Sequence, residues 1–290
     1  MKQFEAKVFD KVKYRLGEGP VFDPRNKVLS WVDISAGLFC YSKIEEDKLT
    51  DIKSVSFGQM VGAAIPAEET GKYIVAATDG LYILDTETNK YDLYYETNKI
   101  YEPYQRSNDA KADPEGRLYF GSMVYDGKSE EKGNLFVIDK VKEVKIAQKD
   151  TKLSNGMAWS KDKKKFYFSD SLEHAVFVYD YDDKTGEITN RKVLFEVSSG
   201  IPDGMCIDSD DNLWLSIWGG RRVEKRCSKT GQKLAEIKVD AENVTCCTFM
   251  GETNKLIITT SGDGKEGEYD GCIFICETDN IGVNPSYFVK

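Results

Sequence analysis

The chain of 290 residues contains a single histidine, His174. There is no pair of imidazoles to share proton work, and a Ser–His–Asp triad would have to be built on that one ring. Any hydrolytic chemistry must therefore lean on a metal and carboxylates. Long apolar runs are also missing. No window approaches the eighteen or so apolar residues of a membrane span, and the start MKQFEAKVFDKVKY lacks the continuous apolar core of a secretory signal. No C-x-x-C pair occurs. The seven cysteines (Cys40, Cys206, Cys227, Cys246, Cys247, Cys272 and Cys276) are odd in number, and most sit in strand-like apolar runs. That reads as buried free thiols in a reducing cytoplasm. Positive charge is the scarcer sign. With 40 basic and 49 acidic residues the net charge is −9, which disfavours nucleic acid and anionic membranes as partners. Helical periodicity is weak throughout, and no linker or low-complexity tract interrupts the chain.

What is present is a repeat. Hydrophobic residues make up 40% and aromatics 12% of the chain, enough for a sizeable core. Six segments share one pattern: a polar or small residue, a short apolar stretch, a turn rich in Asp, Gly, Asn or Lys, and a strongly apolar strand. They are EGPVFDPRNKVLSWVDI, VGAAIPAEETGKYIVAATDG, NDAKADPEGRLYFGSM, NGMAWSKDKKKFYFSDS, DGMCIDSDDNLWLSIWGG and TCCTFMGETNKLIITTSG. Their first residues are Glu18, Val61, Asn108, Asn155, Asp203 and Thr245, spaced 43, 47, 47, 48 and 42 residues apart. Each unit continues with one or two further strands, such as GLFCYSK and KLAEIKV. Three to four short strands per unit predict an all-β fold, a six-bladed β-propeller forming one domain over residues 1–290. The N-terminal strand QFEAKVFD is expected to pair with the last blade and close the ring. The charged stretch over residues 125–134 is expected as an exposed loop.

In a propeller the innermost strands line a central channel. Four of the six matched first positions carry amides or carboxylates: Glu18, Asn108, Asn155 and Asp203. Thr245 adds a hydroxyl, and Val61 is the exception. Any one of them alone would read as a strand-end cap or a ligand for channel water. Four from one repeat position point to a metal site in the channel, because a hard divalent cation relieves the repulsion among such oxygens.

The motifs LGEGPVFD, RSNDAKADPEGRLYFGSM, LSNGMAWS, FYFSDS, YDYDDKTGEI and IPDGMCIDSDDNLW together resemble the regucalcin/gluconolactonase family, which includes luciferin-regenerating enzymes. The likeness spans nearly the whole chain. It implies a six-bladed propeller with one divalent cation, calcium before zinc, manganese or magnesium. It also implies metal ligation by Glu18, Asn155 and Asp203, with water completing the shell. Arg106 and Asn108 would contact substrate, and Asp203 would double as the general base. One departure stands out. Vertebrate regucalcins carry two adjacent glutamates after a GTM-like strand, whereas here the run is GSMVYDG. Asp126 is the acid left to contact substrate there, so substrate preference stays open.

The implied activity is hydrolysis of a small-molecule sugar lactone to its acid, the gluconolactonase type of carboxylic ester hydrolysis. A metal can polarise the lactone carbonyl, a carboxylate can take the proton during attack, and Arg106 can hold substrate oxygens with a planar fork of donors. The alternatives are a calcium-binding regulatory protein with little turnover, a luciferin-regenerating type of enzyme, and a propeller serving as an interaction platform. Arg106 favours the enzyme, since a guanidinium would repel a cation unless an anionic or carbonyl group also had to be held. DSDDN (208–212) and DYDDKTGEI (180–188) lack the helical context of calcium loops and read as acidic turns. His174 is expected to be structural, on the strand HAVFVYDYD. Trp218 is placed near the channel mouth or in blade packing with equal weight.

Overall fold

The computed structural model describes residues 2–127 and 132–290, and there the backbone forms six sheets around one axis, each built on four antiparallel strands. From the axis outward, blade one runs Gly17–Asp23, Val28–Asp33, Leu38–Glu45 and Lys48–Ser56. The inner strands of blades two to six are Val61–Pro66, Gln105–Ala112, Ser154–Trp159, Ile201–Ile207 and Asn243–Phe249. Among the described residues, helix is confined to the single 3-10 turns Thr97–Lys99 and Ser171–Glu173, and no helix is long and apolar enough to cross a membrane.

Each sheet is apolar on both faces because it is covered on both by its neighbours. The buried apolar side chains accordingly gather between blades, not at a common centre. Trp31 and Phe22 of blade one pack with Ile257 and Ile273 of blade six, Phe39 with Tyr73 across blades one and two, and Trp214 with Phe249 across blades five and six. Polar clamps add direction to these contacts. Tyr181 of blade four donates at 2.7 Å to Asp113 of blade three, which also holds Arg117 at 2.8 Å.

The ring closes differently from the sequence expectation. QFEAKVFD does not act as one strand of the last blade. Lys7–Asp10 does pair there, antiparallel to Ile273–Glu277. Lys2–Glu5 instead adds a parallel fifth strand to blade five, beside Lys233–Lys238. Ala6, between the two, is buried and donates to the Lys238 carbonyl at 2.9 Å. One segment thus covers two outer edges. Of the charged stretch 125–134, residues 128–131 lie outside the described residues, and Tyr125, Asp126 and Gly127 before them are exposed. All seven cysteines are free, six of them buried and Cys227 partly so. The two acidic segments are turns: Asp208 accepts the Asp210 and Asn212 backbone N–H groups, and Asp182 those of Lys184 and Thr185.

Thr245, matched by repeat position to the channel residues, is fully buried. Its hydroxyl donates at 2.6 Å to the Gly17 carbonyl and lies 2.9 Å from the Thr259 hydroxyl. It clamps blade six to blade one. Thr245→Val keeps the shape but strands the Gly17 carbonyl. We expect a loss of about 1–3 kcal/mol in urea unfolding, with cation binding unchanged by calorimetry.

Candidate functional site at the channel mouth

All six inner strands slip register against their neighbours at one level, beside the matched residues: between Glu18 and Val21, Val61 and Ala63, Ser107 and Ala110, Ser154 and Met157, Pro202 and Met205, and Val244 and Cys246. An extra residue in one strand bends it and re-aims its side chains. The repeat that places these residues at equal spacing therefore also places them at a shared backbone irregularity.

Five residues come together there. Glu18, Arg106, Asn108, Asn155 and Asp203 line one cavity of about 190 Å³, and each is only 5–7% exposed. Two aspartates support the approach to this level. Asp33 accepts the backbone N–H groups of Arg15 and Leu16 at 2.8 and 3.1 Å, just before Glu18. Asp170 does the same for Lys152 and Leu153, both at 2.9 Å, just before Asn155. Sequence reasoning missed both, although each closes a second strand in matching motifs, WVD and FSD.

Blades four and five meet closely at the cavity floor. Asn155 Nδ2 donates to Asp203 Oδ1 and, at 3.1 Å, to the Ser171 hydroxyl, which itself donates to the Pro202 carbonyl at 2.7 Å. Gly156 permits this approach: a Cβ there would stand 2.6 Å from the Asp203 carbonyl and 2.8 Å from the Met205 nitrogen. Asn108 is held on both arms. Its Oδ1 accepts from Arg106 at 3.0 Å and its Nδ2 donates to the Ser154 carbonyl at 2.9 Å. Below this level Lys111 spans the channel, donating to the carbonyls of Met157 and Met205 at 3.0 and 2.9 Å.

The electrostatics are those of crowded, dehydrated carboxylates. Burial first, and the nearby Asp109 second, push Glu18 from the ordinary 4.5 up to about 8. Burial, then Glu18 and Asp109, hold Asp203 well above the usual carboxylate range. Asp109 is only half-buried by exposed surface, yet it faces a channel walled by protein, and burial raises it to about 6 against the pull of Lys111. Burial lowers Arg106 to about 10, so it stays charged at neutral pH.

A divalent cation fits this donor set. Asn155 Oδ1 is buried without a hydrogen-bond partner while its amide nitrogen is committed. Glu18 and Asp203 present further oxygens whose charge nothing else nearby fully offsets. Among the described residues no three His, Cys, Asp or Glu side chains are grouped for a metal, so a cation here would need the amide oxygen as well as the two carboxylates. An oxygen-only set suits a hard ion.

The remaining residues named from the sequence, Val61 as the exception among them, take different places. Val61 is buried in the apolar contact between blades one and two. Asp126 is exposed and is not among the described residues lining the cavity, whereas Met123 of the same blade is. Trp218 does line it. His174 is not on a strand: it sits exposed in the left-handed conformation (φ 53°), ending the 3-10 turn ahead of Ala175–Tyr181.

Residues 16–262 match the family model described as the SMP-30/Gluconolactonase/LRE-like region. The chain is 33% identical over 274 residues to regucalcin of Danio rerio, covering 92% of this chain and 90% of that one. A solved luciferin-regenerating enzyme matches with a TM-score of 0.89 at 27% identity, over 98% of this chain and 100% of the other. A calcium-binding protein, regucalcin of Agrobacterium tumefaciens, shares the fold with a TM-score of 0.90 at 23% identity, over 99% and 98% of the two chains.

The raised carboxylates set a pH signature. Folded Glu18 holds its proton up to about 8, whereas the unfolded chain releases it near 4.5. Stability of the metal-free protein therefore falls as pH rises through that window. We expect the melting temperature in chelator to drop between about pH 5 and pH 8, calcium to reverse the drop, and Glu18→Gln to lessen it, Asp203 and Asp109 supplying the remainder.

Proposed function

Because this chain belongs to the SMP-30/gluconolactonase/LRE-like family, we propose that its channel mouth hydrolyses lactones with a divalent cation held by Glu18, Asn155 and Asp203. The observation that carries this reading is Arg106. Its guanidinium shares a cavity with oxygens suited to a cation and sits within electrostatic reach of Glu18. A cation store would gain nothing from a fixed positive charge there. A site that must also hold a carbonyl or a nascent carboxylate would.

A bound divalent cation supplies Lewis-acid polarisation of the lactone carbonyl. The chain supplies the rest. Asp203 takes a proton from the attacking water as the new carbon–oxygen bond forms. The ring carbon–oxygen bond then breaks, the ring oxygen takes up a proton, and the product is a hydroxy acid. Asn155 fixes Asp203 through its amide hydrogen bond, so the carboxylate is held in one orientation before substrate arrives. Arg106, itself steadied against Asn108 and the Ser107 carbonyl, donates to substrate oxygens. Calcium is the first candidate ion: the donors are all oxygen, and a protein of the same fold is named calcium-binding. The seven free thiols support a reducing, cytoplasmic setting.

Metal-stripped protein should hydrolyse an aldonolactone only after a divalent cation is returned. Asp203→Asn should lower kcat/KM by roughly 10²–10⁴. Arg106→Ala should raise KM while calorimetric cation binding persists. Tight calcium binding with no turnover on any lactone would sink the enzyme and leave a calcium-binding protein.

A further inference from the structure

We infer that the lactone taken by this cavity carries an apolar alkyl substituent, not a ring bearing hydroxyls at every carbon. The inference rests on the lactonase reading above and deepens it. Extended chain carries residues two apart to one face; Leu16 and Leu153 lead directly into the inner strands and Ile201 opens one. The residues two before Glu18, Asn155 and Asp203 are Leu16, Leu153 and Ile201, and all three line the cavity. At the same position blades two, three and six carry the polar Gln59, Arg106 and Asn243, of which Arg106 lines the cavity. The tier directly above the polar floor is thus aliphatic on three sides.

A second tier comes from the ends of the second strands and the turns after them. Ile34, Leu172 and Trp218 line the cavity from blades one, four and five. Leu172 is 49% exposed, a large apolar side chain standing in water at the rim. A substrate chain lying across it would remove that surface from water.

The polar groups facing this wall are already occupied. Asn108 uses both arms within the protein. The Ser171 hydroxyl donates to Pro202 and accepts from Asn155. Beyond the atoms at the reacting carbonyl, the donors on the wall are the guanidinium of Arg106 and the single indole N–H of Trp218. A polyhydroxylated ring would press several hydroxyls against leucine and isoleucine with nothing to bond. The ring of Trp218 could stack on either kind of substrate, so it does not discriminate. The aliphatic tier does.

The test uses the full-length, calcium-loaded protein and two δ-lactones, δ-nonalactone and D-glucono-δ-lactone. The kcat/KM for each is followed by proton release and divided by its uncatalysed rate, since the two differ in intrinsic reactivity. We expect a preference of roughly tenfold or more for the alkyl lactone, expressed in KM. Leu172→Asn, at an exposed rim position that folding should tolerate, should shrink that preference several-fold. Equal rates, or a preference for the sugar lactone, overturn the inference while leaving the lactonase reading intact. Turnover of neither overturns both. A preference that Leu172→Asn leaves untouched, and that Leu153→Thr inside the wall also leaves untouched, removes the aliphatic tier as its cause.

Discussion

Burying one carboxylate without a cationic partner disfavours its charge, and burying two beside each other does so more strongly. Glu18 and Asp203 are crowded in this way, with Asp109 adding a third negative group, and the pull of Arg106 on Glu18 does not outweigh the burial. The surrounding structure does not let them relax. Blades four and five meet through Asn155 and Asp203 at a distance that only glycine at 156 allows, and Asp33 and Asp170 fix the backbone just ahead of Glu18 and Asn155. The propeller supplies this rigidity because every blade is packed on both faces. An inner strand cannot shift without disturbing two interblade cores. The site is thus held in an arrangement that is costly when empty of positive charge, which is the condition under which a cation binds well.

Much of this was legible in the sequence because a propeller repeats. Spacings of 42–48 residues between Glu18, Val61, Asn108, Asn155, Asp203 and Thr245 set the number of blades and identified which residues share a level. The repeat could not say what each residue does at that level. Thr245 and Asn155 occupy matching positions, yet one hydroxyl is consumed clamping blade six to blade one, while the Asn155 oxygen is left unpaired. That difference depends on the neighbouring blade, which no local pattern describes. The division of QFEAKVFD between two blades was hidden for the same reason: alternation marks a strand but does not name its partner. His174 was misplaced by one residue, the usual uncertainty at an element boundary.

Some information was in the sequence but needed the structure to give it meaning. The strings LGE, LSN and IPD carry the aliphatic tier, two positions ahead of the oxygens that attracted attention first. WVD and FSD carry the aspartates that hold the approach strands. In each case the informative residue is not the one that bonds a ligand. It is the one that sets what surrounds the ligand or how the strand arrives.

The charges around the cavity bear on how the proposed catalysis and cation binding would share one site. Glu18, Asp109 and Asp203 carry three negative charges when ionised, and Arg106 and Lys111 two positive ones, a balance of −1. With those carboxylates ionised and no cation bound, such a cavity would repel a carboxylate product and the negative oxygen that develops during attack on a carbonyl. With a dication bound the balance becomes +1, and the same groups favour that developing charge. Arg106 then has a clear part. Alone it cannot overcome three carboxylates, but beside a cation it gives the positive field a direction, toward the side where Asn108 holds it. The aliphatic tier above strengthens the effect, because apolar walls keep out the water that would screen it. The proposed affinity for the ion, attraction of the carbonyl and preference for an apolar substituent would in this sense follow from one arrangement: oxygens below, hydrocarbon above, and a guanidinium between.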